Sequence, residues 1–352
     1  MIDQIIFKNL KKVNPMTAKS SYYSTNPEIQ ILNEQSKKFT DQIMEIIDEV
    51  QKVIVGQEQV IKKLVIAMMA DGHVLLEGVP GLAKTKMVYT LSNTLSANFC
   101  RIQFTPDLLP ADIVGTKIYD NKKEKFLTEK GPIFSNLILA DEINRAPPKV
   151  QSALLEAMQE RQVSIHGDTY KIEKPFLVLA TQNPIESEGT YRLPEAQIDR
   201  FALKLIIDYP SKDNEKLIIQ RNTQENKPSA NNIVSKKVIL EIQKFVQKIY
   251  ADEKIEEYVS SIVDATRNPK NYDLELDEVI EFGASPRASI WLILAAKANA
   301  LLAGRGFVIP EDIKSIAHDV LRHRIILTFE AEAEGHTSDD LIDKILEKIR
   351  AP

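Results

Sequence analysis

At 352 residues, with 43% hydrophobic and 27% charged side chains, the chain is long enough for two domains and has ordinary globular composition, which excludes a fibrous or wholly disordered protein. A net charge of −5 gives no global basic field for nucleic acid or an anionic membrane, and a single cysteine, Cys100, excludes an intrachain disulfide framework. No apolar run approaches the roughly 18 residues of a bilayer span and the opening MIDQIIFKNLKK lacks a signal-peptide core, so a soluble, cytoplasmic protein without membrane insertion is expected.

Residues 1–39 are polar and uneven, and read as a partly disordered extension. From Thr40, the residues Ile43, Ile46, Ile47 and Val50 recur at helical spacing, predicting an amphipathic helix that leads into the turn Val55-Gly56-Gln57-Glu58. A helix over 59–71 follows. Residues 74–85, VLLEGVPGLAKT, then join an apolar strand to a glycine-containing turn and a Lys-Thr pair that opens a helix to about residue 97. That layout suits a phosphate cradle. Across Gly78, Val79, Pro80, Gly81, Leu82 and Ala83 the backbone can turn N–H groups toward anionic oxygens, Lys84 can meet the β and γ phosphates, and Thr85, beside Lys86, can hold Mg²⁺. The general motif has glycine where this chain has Ala83, and alanine is excluded there only if the position needs a positive φ. The alternative is a plain strand–turn–helix connection with an exposed lysine, which only further residues at the right places set aside.

Downstream, the long segment 100–136 carries two short strand-like runs, Lys117–Tyr119 and Lys125–Leu127, joined by a polar turn. Leu137 to Ala140 form an apolar run ending in Asp141 and Glu142, which predicts a buried parallel strand with two carboxylates at its tip. Asp141 can hold a Mg²⁺ water beside Thr85, and Glu142 can orient and deprotonate an attacking water. A second hairpin is predicted from Val163, Ile165, Tyr170 and Ile172 around Gly167-Asp168. The strand FLVLATQNP at 176–184 ends in a polar amide, Asn183, which in an α/β crevice would touch the γ-phosphate or the water; Asn before Pro is also an ordinary turn former.

Arg200 precedes another apolar strand-like run and would sit at the domain edge, while Arg287 opens an apolar helix; each could instead be a surface ion-pair partner. Arg145 is a second candidate for a contact between subunits. After Pro210 a Lys/Gln/Asn-rich linker, 211–236, leads to four predicted helices, Lys237–Tyr250, Glu256–Asn268, Pro286–Leu302 and Pro310–Leu321. Trp291, Leu292 and Leu294 read as core, and the histidines show no metal-ligand spacing. The fold class expected is α/β: a mostly parallel sheet with helices on both faces, then a small all-α lid.

Taken together and in order, VGQE at 55–58, GVPGLAKT at 78–85, FTPDLLPADIVGT at 104–116, LADEINRAPPKVQSALLEAMQE at 139–160, ATQNP at 180–184, LPEAQIDRF at 193–201 and GASPRA at 283–288 resemble the AAA+ ATPases, and within them the MoxR family. The resemblance implies a P-loop αβα core over 40–210 and a lid over 237–352. It also implies Lys84 and Thr85 as Walker A, Asp141 and Glu142 as Walker B, Asn183 as sensor 1, Arg200 as arginine finger and Arg287 as sensor 2. Val55, Gly56 and Gln57 would border the adenine. ATP or ADP and Mg²⁺ are the implied ligands, in a homo-hexameric ring whose two hairpins line a pore. The implied role is a chaperone-like remodeller of a protein client, working with a von Willebrand A-domain protein. No Asp-x-Ser-x-Ser motif occurs here, so that partner is another chain. A nucleotide-controlled scaffold with little turnover is the alternative. A nucleic-acid motor, with Lys122, Lys123 and Lys125 at a hairpin tip, is a more remote one.

Overall fold

Apolar strands that must be buried on both faces set the architecture. The computed structural model describes residues 26–79, 81–182, 191, 193–224 and 228–352. In it, α1 (Pro27–Val53), α2 (Glu58–Met69), β1 (Val74–Glu77), α3 (Lys84–Thr94) and β2 (Phe99–Gln103) are followed by α4 (Pro110–Val114) and the hairpin β3 (Gly115–Asp120) and β4 (Lys125–Lys130). Next come β5 (Leu137–Asp141), α5 (Pro148–Glu160), the hairpin β6 (Gln162–Ile165) and β7 (Asp168–Lys171), β8 (Leu177–Gln182), α6 (Glu195–Ile198) and β9 (Leu203–Ile206). The remainder is α7 (Lys212–Asn222), α8 (Lys236–Lys248), α9 (Glu253–Ala265), β10 (Ile280–Phe282), α10 (Pro286–Leu302), α11 (Pro310–Leu321), β11 (Ile326–Leu327), α12 (Phe329–Ala333) and α13 (Ser338–Lys348).

Five strands form one parallel sheet in the order β2-β5-β8-β1-β9. Side chains alternate across it. Val74, Leu76, Leu137, Leu139, Leu177, Leu179, Leu203 and Leu205 enter one core, while Leu75, Ile102, Ile138, Ala140, Val178 and Ala180 enter the other. The expected α/β class and helical lid are therefore present, and both predicted hairpins form. The hairpins also touch: Thr128 Oγ1 lies 2.8 Å from Tyr170 Oη, and Lys117 pairs with Asp168 at 2.8 Å.

Three boundaries differ from expectation. Residues 26–39 are not a loose extension, because α1 begins at Pro27, capped by the Asn26 side chain. Ile29, Leu32, Ser36, Phe39 and Ile43 continue its inner stripe; Ser36 is fully buried and satisfies its hydroxyl on the Leu32 carbonyl, so a polar residue interrupts the apolar repeat. The stretch 211–236 is no plain linker either, since it contains α7, capped by Ser211, which buries none of its residues. The lid holds six helices and the antiparallel pair β10–β11 among the described residues rather than four helices alone.

The lid packs into the same core as one sheet face. α10 is apolar nearly all round and rich in alanine, with Ala288, Ala295, Ala296, Ala298 and Ala300 buried, which lets α1, α2, α8, α9 and α11 approach it closely. Gln243 of α8 donates to the Met68 carbonyl of α2 at 2.8 Å, and Phe39 of α1 stacks on Phe245 with centroids 4.9 Å apart. No helix among the described residues is long and apolar enough to cross a membrane.

Candidate active site

Strand β1 lies inside the sheet and delivers its carboxyl end into the cradle 78–85, as parallel α/β sheets place ligands. Gly78 is needed for space, since a Cβ there would stand 2.7 Å from the Ile207 carbonyl oxygen. Gly81 is needed for conformation, at φ +89 with nothing near a Cβ. Ala83 takes φ 56 and ψ 25, the left-handed region, just before α3. The position that prefers glycine therefore does need positive φ, and alanine holds it at about 1–2 kcal/mol of strain. Pro80 lies outside the described residues.

Lys84 Nζ folds back onto the Gly78 carbonyl. Burial lowers its pKa, and the charges of Asp141, Glu142 and Glu77 offset part of that effect. The lysine thus shares the cradle with carboxylates that would repel a bare triphosphate, a repulsion that a cation carried in with the nucleotide would offset. Thr85 and Asp141 carry oxygens of the kind such a cation takes, and those of Asp141 are here held by Thr181 and Arg101. No group of three or more His, Cys, Asp or Glu suited to a metal occurs among the described residues, and Mg²⁺ needs none, because it keeps waters and substrate phosphate oxygens as ligands.

Strand β5 ends where the sequence predicts, with Asp141 and Glu142 at its tip. Thr181 of β8 donates to Asp141 Oδ1 at 2.6 Å and accepts from the Glu142 N–H at 2.8 Å, which fixes both backbone and carboxylate. Glu142 sits at φ 57 and ψ 51, a second left-handed residue in the site. Strand β2 contributes two side chains that sequence reasoning missed. Arg101 donates to Asp141 Oδ2 at 2.6 and 3.0 Å, and Gln103 Nε2 donates to Glu142 Oε2 at 2.9 Å. Their spacing of two along a strand puts them on one face, a signal available from the sequence had 99–103 been recognised as a strand. Arg145, a second candidate for a contact between subunits, pairs with Glu142 of its own chain at 3.2 Å. Asn183 lies just beyond β8 and outside the described residues.

The turn Val55-Gly56-Gln57 packs against the segment after β9 and against α7. Gln57 Nε2 donates to the Asp208 carbonyl at 2.9 Å, Gly56 lies under Asn214 of α7, and Lys86 reaches Asn222 of α7 at 3.2 Å.

Arg200 and Arg287 are brought together, but not with the cradle. They line a cleft of about 290 Å³ with Asp71, His73, Arg161 and Trp291. The Ala202 N–H donates to the His73 carbonyl at 2.8 Å, so this cleft sits at the amino ends of β1 and β9, opposite the cradle. The strand alone separates the two by on the order of 13 Å. Arg200 Nε is buried there without a hydrogen-bond partner among the described residues, whereas Arg287 Nη1 reaches Asp199 Oδ2 at 3.1 Å. Trp291, expected in the core, is half-buried at this cleft.

Beneath the cleft, His73 Nδ1 accepts from the Val178 N–H at 3.0 Å and Nε2 lies 3.2 Å from the Met158 carbonyl, an arrangement that requires a neutral ring protonated on Nε2. Burial, reinforced by the charge of Arg161, holds its pKa well below the ordinary value. Asp199 accepts from Ser285, Arg287 and Arg324. Burial pushes the Asp199 carboxyl up, but Arg324 and the bonds from Ser285 and Arg287 outweigh it and hold it below its usual value. Burial likewise pushes Arg324 down to about 10, against the pull of Asp199.

Known proteins resemble this chain over most of its length. Residues 73–203 match the family described as ATPase family associated with various cellular activities (AAA), and residues 275–345 match the AAA lid domain. The chain is 48% identical to Chaperone MoxR1 of Mycobacterium tuberculosis, over 86% of this chain and 81% of that protein. It is 30% identical to Protein MoxR of Methylorubrum extorquens, over 86% and 93% respectively. A crystal structure of a candidate ATPase from Cytophaga hutchinsonii superposes with a TM-score of 0.87 at 51% identity, covering 93% of this chain and all of that one.

Proposed function

The chain belongs to the MoxR family of AAA+ ATPases, and on that premise we propose that it hydrolyses ATP, with Mg²⁺, at sites shared between neighbouring subunits of a homo-hexameric ring. The observation that carries the shared site is the placement of Arg200 and Arg287. Both face one cleft at the amino ends of the strands, and Lys84 and Thr85 stand at the carboxyl ends. An arginine so placed cannot serve its own cradle and is free to serve a neighbour's.

In this reading the backbone of 78–83 and Lys84 bind the phosphates, while the 55–57 turn and α7 hold the base. Thr85 and Asp141 would hold Mg²⁺, which when bound neutralises phosphate charge. Glu142 takes the proton of the attacking water, and Asn183 orients that water. Arg200 and Arg287 of the adjacent subunit stabilise the charge of the transferring group, a contribution on the order of 10³–10⁵ in rate. The output proposed is remodelling of a protein client, supported by the relative named as a chaperone. The two joined hairpins grip the client, a separate von Willebrand A-domain chain is the partner, and the ring works in the cytoplasm.

The test is ATPase rate per subunit against protein concentration, with mass followed by light scattering. The rate should climb as the ring forms. Glu142→Gln should keep ATP bound without turnover. Arg200→Ala should assemble yet lose about 10³-fold or more in rate. Full turnover by Arg200→Ala at ring-forming concentration would sink the shared site.

A further inference from the structure

Arg324, in the lid just after α11, is 1% exposed at its side chain, and all five of its N–H donors have acceptors. Nε donates to Asp199 Oδ1 at 2.8 Å, and Nη2 to the carbonyls of Asp199 and Phe201 at 2.9 and 2.6 Å. Nη1 donates to the carbonyl of Ala202 at 3.3 Å and to that of Val320. Four of the five acceptors therefore belong to residues 199–202, the segment that carries Arg200. The same Asp199 carboxylate accepts from Arg287 Nη1 and from the Ser285 hydroxyl.

A buried ion pair is a poor device for holding a lid to a core, because apolar packing of the same volume does so at lower desolvation cost. It is a good device for fixing a backbone segment and a carboxylate in one geometry, because the guanidinium is a rigid planar fork. We propose that Asp199 and Arg324 are positioning residues that hold Arg200 and Arg287 as one unit rigidly attached to the lid, so that a subunit's lid sets the arginine pair it presents to its neighbour. This rests on the shared-site reading above. The lid is packed against α2 and α1 beside the subunit's own cradle, so the pair links a subunit's own nucleotide side to the next subunit's chemistry.

Mixed rings separate the two ideas. Subunits carrying Glu142→Gln cannot turn over but offer arginines, and subunits carrying Arg200→Ala have an intact cradle but lack the finger. Mixing them should restore turnover at the Arg200→Ala subunits' sites. Adding Arg324→Lys, or separately Asp199→Asn, to the Glu142→Gln subunit should lower the restored kcat by about 10²-fold, the loss that a misplacement of about 1 Å can cause. KM for ATP and ring mass should stay unchanged, because the substituted subunit binds no nucleotide at the site being read. Rescue by both substituted subunits as strong as by plain Glu142→Gln would overturn the positioning role alone. Failure of plain Glu142→Gln to rescue in assembled rings would overturn the shared site and this proposal with it. If neither substituted subunit assembles, the pair is a staple of the fold and the proposal falls.

Discussion

His73 shows how a single ring ties the sheet's amino edge together and makes it sensitive to acid. It bridges β8 and the end of α5 only as the neutral tautomer, because a second ring proton would point at the Val178 N–H. The unfolded chain takes up a proton at this side chain near pH 6.5, and the folded chain does not. Stability should therefore be full above that pH and fall as pH drops below it, by up to about 1.4 kcal/mol per pH unit for each such histidine, until the depressed folded pKa is reached. His323, also held well below its ordinary value by burial, adds in the same direction. Urea unfolding from pH 7.5 to 5.5 checks this, and His73→Gln should flatten the slope; equal stability across that range in the parent chain would contradict it. At this scale the positions of Lys84 and Thr85 at the start of α3 and of Asp141 and Glu142 at the tip of β5 could be read from the sequence, because each follows from a pattern local in the chain. Arg101, Gln103, Thr181, Asp199 and Arg324 could not, because each acts across strands or between lid and core.

Among elements, those with an uninterrupted pattern were foreseen and those with a mixed one were not. The three central strands are continuous apolar runs, so they read as buried parallel strands. β2 is an edge strand with half-buried Phe99 and Cys100 and exposed Arg101 and Gln103, and shows no such run. The first half of α1 was hidden by Ser36 in its inner stripe. That half docks where Gly306 lacks a side chain: a Cβ there would stand 2.6 Å from Leu32 Cβ and 2.8 Å from the Asn33 nitrogen. The Gly306 N–H also donates to the Asn33 side chain at 2.7 Å, and Thr40 donates to the Leu301 carbonyl. Gly306→Ala should push the helix away and cost about 1–3 kcal/mol, as overpacking does. Hydrogen exchange should then quicken over 27–40 and hardly change in β5 and β8. Unaltered protection across α1 would show that the helix is not held by that contact.

On the scale of the whole molecule, the expected division into core, linker and lid describes the chain order but not the packing. One hydrophobic core runs from the sheet through α1 and α2 into α8, α10 and α11, so the lid is not a separately packed body. Composition signals a boundary near Pro210 because it records which residues are exposed, and α7 buries none of its residues fully; it does not record which buried faces meet. The cleft of Arg200 and Arg287 is a joint product of these two parts, with Arg200 from the core and Arg287 and Trp291 from the lid. Trp291 is the only tryptophan in the chain. The protein thus carries one indole, whose emission is read apart from that of the tyrosines by excitation at the red edge of the absorption band, and it sits at the face proposed to receive a neighbour. Its emission should move to shorter wavelength and resist acrylamide quenching as subunits associate, giving an unlabelled optical readout of assembly that is independent of hydrolysis. Identical spectra for monomer and ring would place the seam between subunits elsewhere.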